Sequence, residues 1–294
     1  MFDGIRPMAV LAALPPLFWA GNFVLGRALR ADIPPLALSF WRWGIALLVL
    51  LPFAYSRVRD QWGLLRAHWP RLAVLAFLGV TNYNTFAYIG LQYTTATNGV
   101  LLTSATPLLI LGLSWLLLGQ RVRPWQVLGV SLSLAGVVFI VAKGDAGLLA
   151  GLRPNRGDLW ILAAGVDWAL YSVCLHWRPR GLDPLLFLTA TVALGCIPLG
   201  VLYVWDLSRG QRFAPTLGNL AALGYVAVFP SVLAYVIWNR AVAVLGANRT
   251  GQYIHLIPVF GVALAAILLG ELPGWFHVVG FGLIMAGIWL SARA

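Results

Sequence analysis

Between Leu108 and Leu118 the chain runs Leu-Leu-Ile-Leu-Gly-Leu-Ser-Trp-Leu-Leu-Leu, and uncharged stretches of this kind succeed one another from Met8 to Leu290. A helix of roughly 20 apolar residues crosses the hydrocarbon of a bilayer, where no water is present to satisfy an open backbone. Strands of a membrane barrel would alternate apolar and polar side chains, and this stretch does not alternate. The runs therefore read as helices at 8–29, 36–55, 69–91, 97–118, 124–142, 157–176, 184–204, 217–238, 248–269 and 274–291. Of 294 residues, 61% are hydrophobic and 10% charged, so little chain remains for an aqueous domain. The first run follows a leader in which Asp3 offsets Arg6, and it carries Asn22 where a signal peptide is purely apolar, so it is expected to stay in the mature protein. The expected fold is an all-α integral membrane protein with ten transmembrane helices.

The net charge of +11 does not form the single basic stripe that nucleic acid requires. Its arginines fall in short clusters between the apolar runs and act as orientation signals, because cytoplasmic loops carry an excess of Lys and Arg. With the N-terminus inside, Arg57, Arg59, Arg66, Arg71, Arg121, Arg123, Arg178 and Arg180 lie inside, among others. Arg27, Arg30, Lys143, Arg153, Arg156, Arg209 and Arg212 then lie outside, a smaller set. Both termini are thus expected in the cytoplasm, with the chain multi-pass in the cell (inner) membrane and the bilayer as its first partner. Cys174 and Cys196 both sit in apolar runs, so neither a disulfide framework nor a thiolate metal site is indicated.

An offset of 151 residues carries Pro107, Gly119, Gln120, Gly129 and Gly136 onto Pro258, Gly270, Glu271, Gly280 and Gly287. Nearby offsets lay Trp19-Ala20 over Trp168-Ala169 and Ala87-Tyr88 over Ala234-Tyr235. The chain divides accordingly into a first five-helix repeat at 1–142, an extracytoplasmic connection at 143–156 and a second repeat at 157–294. An odd number of helices per copy forces the second copy to enter from the opposite side, so the halves become inverted repeats with a shared site between them.

Trp19 to Phe23 (Trp-Ala-Gly-Asn-Phe), Phe40-Trp41-Arg42, Trp168 to Ser172 and the paired proline-to-glycine segments resemble the drug/metabolite transporter superfamily, in particular its EamA-type ten-helix members. The resemblance covers nearly the whole chain. It implies export of amino acids and other metabolites, since the group includes the YddG-type exporters of aromatic amino acids. Asp167 stands where that pattern has a small or apolar residue.

Polar side chains at membrane depth are costly unless paired or facing water, which makes them the natural site candidates. Asn22, Tyr83, Tyr88, Ser104, Trp168, Tyr171, Tyr235, Gln252 and His255 are expected to bind substrate. Asp167 and His255 are candidates for proton coupling, because Asn or Gln would bond as well without ionising. Deep aromatics, among them Trp19 and Tyr253, divide between a cavity wall and core packing, while Trp62, Trp69, Trp125, Trp160, Trp205 and Trp275 near span ends suit an interfacial belt. Pro107 and Pro258 are expected to kink helices four and nine. Arg42, at the entry to helix two, is expected to snorkel or anchor, and Glu271 to serve in a loop. Helices five and ten carry almost no polar groups and are expected at the periphery or against a second subunit.

His68, His176, His255 and His277 are dispersed, and no phosphate-binding loop is present, so the chain is read as no enzyme, with no metal, no cofactor and no ATP drive. A secondary exporter of small molecules fits best, most readily of amino acids including aromatic ones, working by alternating access and driven by their gradient or by protons. The alternatives are a multidrug exporter of hydrophobic cations, which needs Asp167 as an open carboxylate, and a membrane protein that does not transport. Nucleic acid is not an expected partner, and the assembly is a monomer or homodimer.

Overall fold

The computed structural model describes residues 5–145, 147–148, 155–269 and 273–292. Gly270, Glu271, Arg153 and Arg293, and half of the 143–156 connection, lie outside the described residues. Among those described, the regular elements are all helical. They are α1 (Pro7–Ala31), α2 (Pro35–Ala67), α3 (Trp69–Tyr93), α4 (Ala96–Leu118), α5 (Pro124–Val141), α6 (Arg156–Trp177), α7 (Pro184–Ser208), α8 (Leu217–Leu245) and α10 (Trp275–Ser291). Between the last two, α9 comprises Ala247–Gly251, a 3₁₀ turn at Gln252–His255, and Leu256–Leu269. The helices α1 to α8 are each long and apolar enough to cross a membrane, and α10 is a shorter apolar helix.

Local chemistry starts and stops these helices. Asn155 caps α6, its side chain accepting from Gly157 N at 2.7 Å while Asp158 accepts from Asn155 N at 2.9 Å. Asp183 caps α7 ahead of Pro184, and Gly119, at φ 62°, closes α4 in a left-handed conformation. The helix expected at 36–55 instead continues to Ala67 and has 33 residues, about 50 Å of helix. Residues 56–67 are largely polar and contain no proline, so the helix outruns the hydrocarbon, and neither Gly63 nor the internal Pro52 ends it. Hydropathy marks the end of the membrane and not the end of the helix.

Helices with the same place in the two halves meet one another antiparallel. In α2 and α7, Phe40 stacks on Tyr203 with ring centroids 4.8 Å apart, and Arg57 pairs with Asp183 at 3.3 Å. In α5 and α10, Cβ atoms added at Gly129 and Gly136 would meet the backbone oxygens of Gly287 at 2.5 Å and Gly280 at 2.6 Å. Asn84 of α3 lies 3.4 Å from the Tyr235 hydroxyl of α8, and Ser104 of α4 bonds His255 of α9, each pair separated by 151 residues. Contacts between equivalent residues occur where a two-fold axis passes, and antiparallel counterparts place that axis in the membrane plane. The fold is thus two inverted five-helix halves. Helices α5 and α10 pack on each other, sharing a small core of Val137, Ile140, Leu256 and Ile284.

Two features recur in both halves. A single π-helical turn interrupts α3 at Phe77–Asn82 and α8 at Val228–Leu233. Such turns leave carbonyls outside the regular ladder and are frequent at functional sites. The second feature is a break in α4 at Ser104–Ala105, just before Pro107, matched in α9 by the 3₁₀ turn just before Pro258.

Candidate functional site

Seven aromatic side chains close the centre where the halves meet. Trp168 of α6 lies against Trp19 of α1 at 5.0 Å, Tyr83 of α3 at 4.8 Å, Tyr171 at 5.2 Å, and Tyr235 and Trp238 of α8 at 5.2 and 5.4 Å between ring centroids. Trp43 of α2 meets Tyr235 edge-on at 5.0 Å. All are buried, and their tilted and edge-on packing is the arrangement aromatic rings prefer. Four of the polar tips, those of Trp19, Tyr171, Tyr235 and Trp238, are tied down, while Trp43 Nε1 is buried without a partner. Tyr235 donates to the Gly79 carbonyl in the first π-helical turn, and Trp19 Nε1 to the Pro230 carbonyl in the second, at 3.1 Å. Gly79 and Pro230 are equivalent by the repeat, so each half holds the irregular turn of the other.

Beside this cage lies a polar cluster around Arg42, which is 1% exposed. Its Nη1 donates to Asn22 Oδ1 at 3.2 Å and to the Tyr88 hydroxyl at 2.7 Å, and Tyr88 in turn donates to Asn22 at 2.7 Å. The expectation that Arg42 snorkels gives way to burial, because α1, α3 and α8 surround it with acceptors that only the tertiary fold brings together. Asp167 is also buried and sits beside Asn82 at the end of the first π-helical turn.

Six of the nine residues expected to bind substrate are therefore gathered at or next to the cage: Asn22, Tyr83, Tyr88, Trp168, Tyr171 and Tyr235. The other three, Ser104, Gln252 and His255, form a separate group where α4 meets α9. His255 Nε2 approaches the Ser104 carbonyl at 2.9 Å, while His255 Nδ1 and both polar atoms of Gln252 are buried without a partner. Gln252 borders a small cavity of about 110 Å³ with Arg249, Tyr253 and Ser291. Trp43, Trp238 and Ser231 were missed by sequence reasoning. The i, i+3 spacing of Tyr235 and Trp238, which places both on one helix face, was the available signal.

Cavities open toward the two ends of the bundle. A vestibule of about 450 Å³ is bordered by Gln120, Ser172, His176, Arg178, Asn239 and Gly246. Its floor is the underside of the cage, since Tyr171 donates to Asn239 at 2.8 Å and Trp238 Nε1 to Ser172 at 3.2 Å. At its rim, burial draws the Arg178 guanidinium down from the usual arginine value, against the pull of Asp183. Toward the other end, a cavity of about 280 Å³ is bordered by Phe23, Thr97, Lys143, Pro258 and His277. The cage stands between these two spaces.

Comparison with known proteins follows the same division of the chain. A model of the EamA-like transporter family matches residues 6–142 and again 155–293. An uncharacterized transporter of Archaeoglobus fulgidus is 31% identical over 290 residues, covering 96% of each chain. The uncharacterized transporter YyaM of Bacillus subtilis is 28% identical, over 92% of this chain and 89% of its own. A protein named as a probable amino-acid metabolite efflux pump of Salmonella typhimurium is 25% identical, over 97% of this chain and 95% of its own. A crystal structure with 22% identity shares the fold at a TM-score of 0.78, covering 97% of this chain and 96% of that one.

Proposed function

The chain belongs to the EamA-like transporter family, and from that premise we propose that it exports small amino-acid metabolites, aromatic ones included, across the inner membrane by alternating access. The observation that carries this reading is the aromatic cage between inverted halves, with a separate cavity toward each end of the bundle. A cage built of Trp and Tyr suits an apolar or planar side chain, and exchanging the conformations of inverted halves opens it to one side at a time. A hydrophobic cation suits it less well, because the buried guanidinium of Arg42 beside the cage repels positive charge. The Salmonella relative's name points the same way.

Liposomes carrying the pure protein and loaded with labelled phenylalanine or leucine are expected to release them faster than protein-free liposomes, and to exchange them for unlabelled compound. Release of tetraphenylphosphonium in place of amino acids favours the multidrug reading. Release of neither leaves a protein that does not transport. Asp167 and His255 are assigned to proton coupling in the same assay. Asp167→Asn or His255→Gln is expected to remove the part of the rate that depends on a pH gradient, and a wild-type rate indifferent to that gradient defeats the assignment.

In this reading the units 1–142 and 157–294 are joined by an external 143–156 connection, and both termini are cytoplasmic. Single cysteines at Gly147 and Arg293, in a chain lacking Cys174 and Cys196, are expected to label from opposite sides. Labelling of both from one side defeats that topology.

A further inference from the structure

Among the described residues, no carboxylate pairs with the charge of Arg42. Its guanidinium donates from Nε to Ser231 Oγ at 2.6 Å, from Nη1 to Asn22 and Tyr88, and from Nη2 to the Pro230 carbonyl at 3.2 Å. Every one of these acceptors is neutral. Among the described residues, the ion pair that forms on α2 is Arg57–Asp183, at the far end of the helix. Arginine does not relieve burial by losing its proton, so the charge persists in an apolar interior, where charges ordinarily persist only when paired. The planar fork of guanidinium N–H groups matches a carboxylate better than it matches any of its present partners.

The surroundings identify the rest of such a ligand. Arg42 Nη2 and Trp19 Nε1 share one acceptor, the Pro230 carbonyl, so the guanidinium and the cage are one acceptor atom apart. Trp43 bridges them on another side, 5.3 Å from the guanidinium carbon and 5.0 Å from the Tyr235 ring. We propose that Arg42 is the receptor for the cargo's carboxylate, with the cargo's apolar side chain held in the aromatic cage. The proposal rests on the export reading and specifies its cargo as carboxylate-bearing. None of the cavities described above reaches Arg42, so the receptor is sealed in this conformation, and the acceptors a carboxylate would replace are Ser231 and Pro230. Both lie in the π-helical turn of α8. Binding of cargo therefore replaces the two hydrogen bonds from Arg42 to α8 and links recognition to the π-helical turn of the second half.

The test compares phenylalanine with phenylalaninamide, which keeps the ring and the amine but lacks the carboxylate, in exchange assays with the purified protein in liposomes. Wild type is expected to favour the acid by about 10- to 100-fold, the scale of a hydrogen bond to a charged group. Arg42→Gln is expected to bring that ratio near one, and Arg42→Lys to retain part of it. Ser231→Ala removes a neutral acceptor and is expected to keep the preference, which shows that the charge and not the network sets it. A wild type that exports the amide as well as the acid overturns the carboxylate assignment and leaves the export reading standing. An Arg42→Gln variant that slows both compounds equally overturns it too, since a purely structural arginine predicts that outcome. A wild type that moves neither compound, nor any other amino acid, overturns the export reading and this proposal together. If Arg42→Gln does not fold, the wild-type ratio and the Arg42→Lys ratio still decide.

Discussion

Gly287→Ala is expected to lower the thermal midpoint of the detergent-solubilised protein by about 2–10 °C, whereas Gly282→Ala, five residues away on the same helix, does not lower it. The chemical change is identical and the surroundings are not. A Cβ at Gly287 would run into the Gly129 carbonyl oxygen and meet the backbone nitrogen of Ser133 at 2.7 Å, while at Gly282 nothing lies within 4 Å. Backbone atoms cannot step aside as a side chain can, so α5 and α10 must separate along the whole antiparallel seam. Within lipid no hydrophobic drive restores the fit, because helix association there depends on close packing between small residues and on interhelical hydrogen bonds. Separation also strains the bond from Ser133 Oγ to the Ile284 carbonyl, 3.1 Å long. Overpacking of this kind costs about 1–3 kcal/mol, enough for a shift of that size. Fluorescence-detected unfolding of the two variants side by side is the measurement, and equal midpoints would mean that the close approach of these helices contributes nothing to stability.

These same glycines make the repeat legible in the sequence itself. Gly129 and Gly280, and Gly136 and Gly287, occupy equivalent places because each half needs a smooth face at the same height on its fifth helix. Ser104 and His255 are not recognisable as partners in the sequence, although they share the same offset, since their side chains have nothing in common. Their contact comes from position on the axis and not from likeness. The helix at 35–67 shows the opposite failing: hydropathy locates its membrane-spanning part but is blind to a helix that continues through water as far as Ala67.

The site is legible in its aromatic half and not in its charged half. Trp19, Tyr83, Trp168, Tyr171 and Tyr235 advertise themselves as large rings inside apolar runs. Arg42 stands near the start of its run, where arginines commonly reach back to headgroups, and one chain cannot say that Asn22, Tyr88 and Ser231 converge on it from three other helices. One local sign is present: Arg42 lies seven residues inside α2 and not at its end, about 10 Å along the helix, between Trp41 and Trp43.

Trp168→Ala is expected to cause the largest loss of transport of any cage substitution, and Trp168→Phe divides the loss into its two parts. The indole is 2% exposed and touches rings from α1, α3 and α8 as well as its own helix. Removing it leaves a cavity that Tyr235 could fill only by leaving Gly79 and Tyr171 only by leaving Asn239. Truncations of buried Trp cost about 3–5 kcal/mol, so the alanine variant is expected to be both less stable and inactive. Phenylalanine restores most of the volume but not the breadth of the ring surface, and each ring pair it fails to re-form is worth about 0.5–1.5 kcal/mol. The melting midpoint of Trp168→Phe is therefore expected within a few degrees of wild type while phenylalanine exchange falls about tenfold. Val137→Ala provides the contrast, since Val137 is fully buried in the α5–α10 core, away from the cage. It is expected to lose stability and keep its exchange rate at temperatures where the protein stays folded. Should Val137→Ala slow exchange more than Trp168→Phe does, the centre of transport lies at the α5–α10 seam, and the cage is core packing.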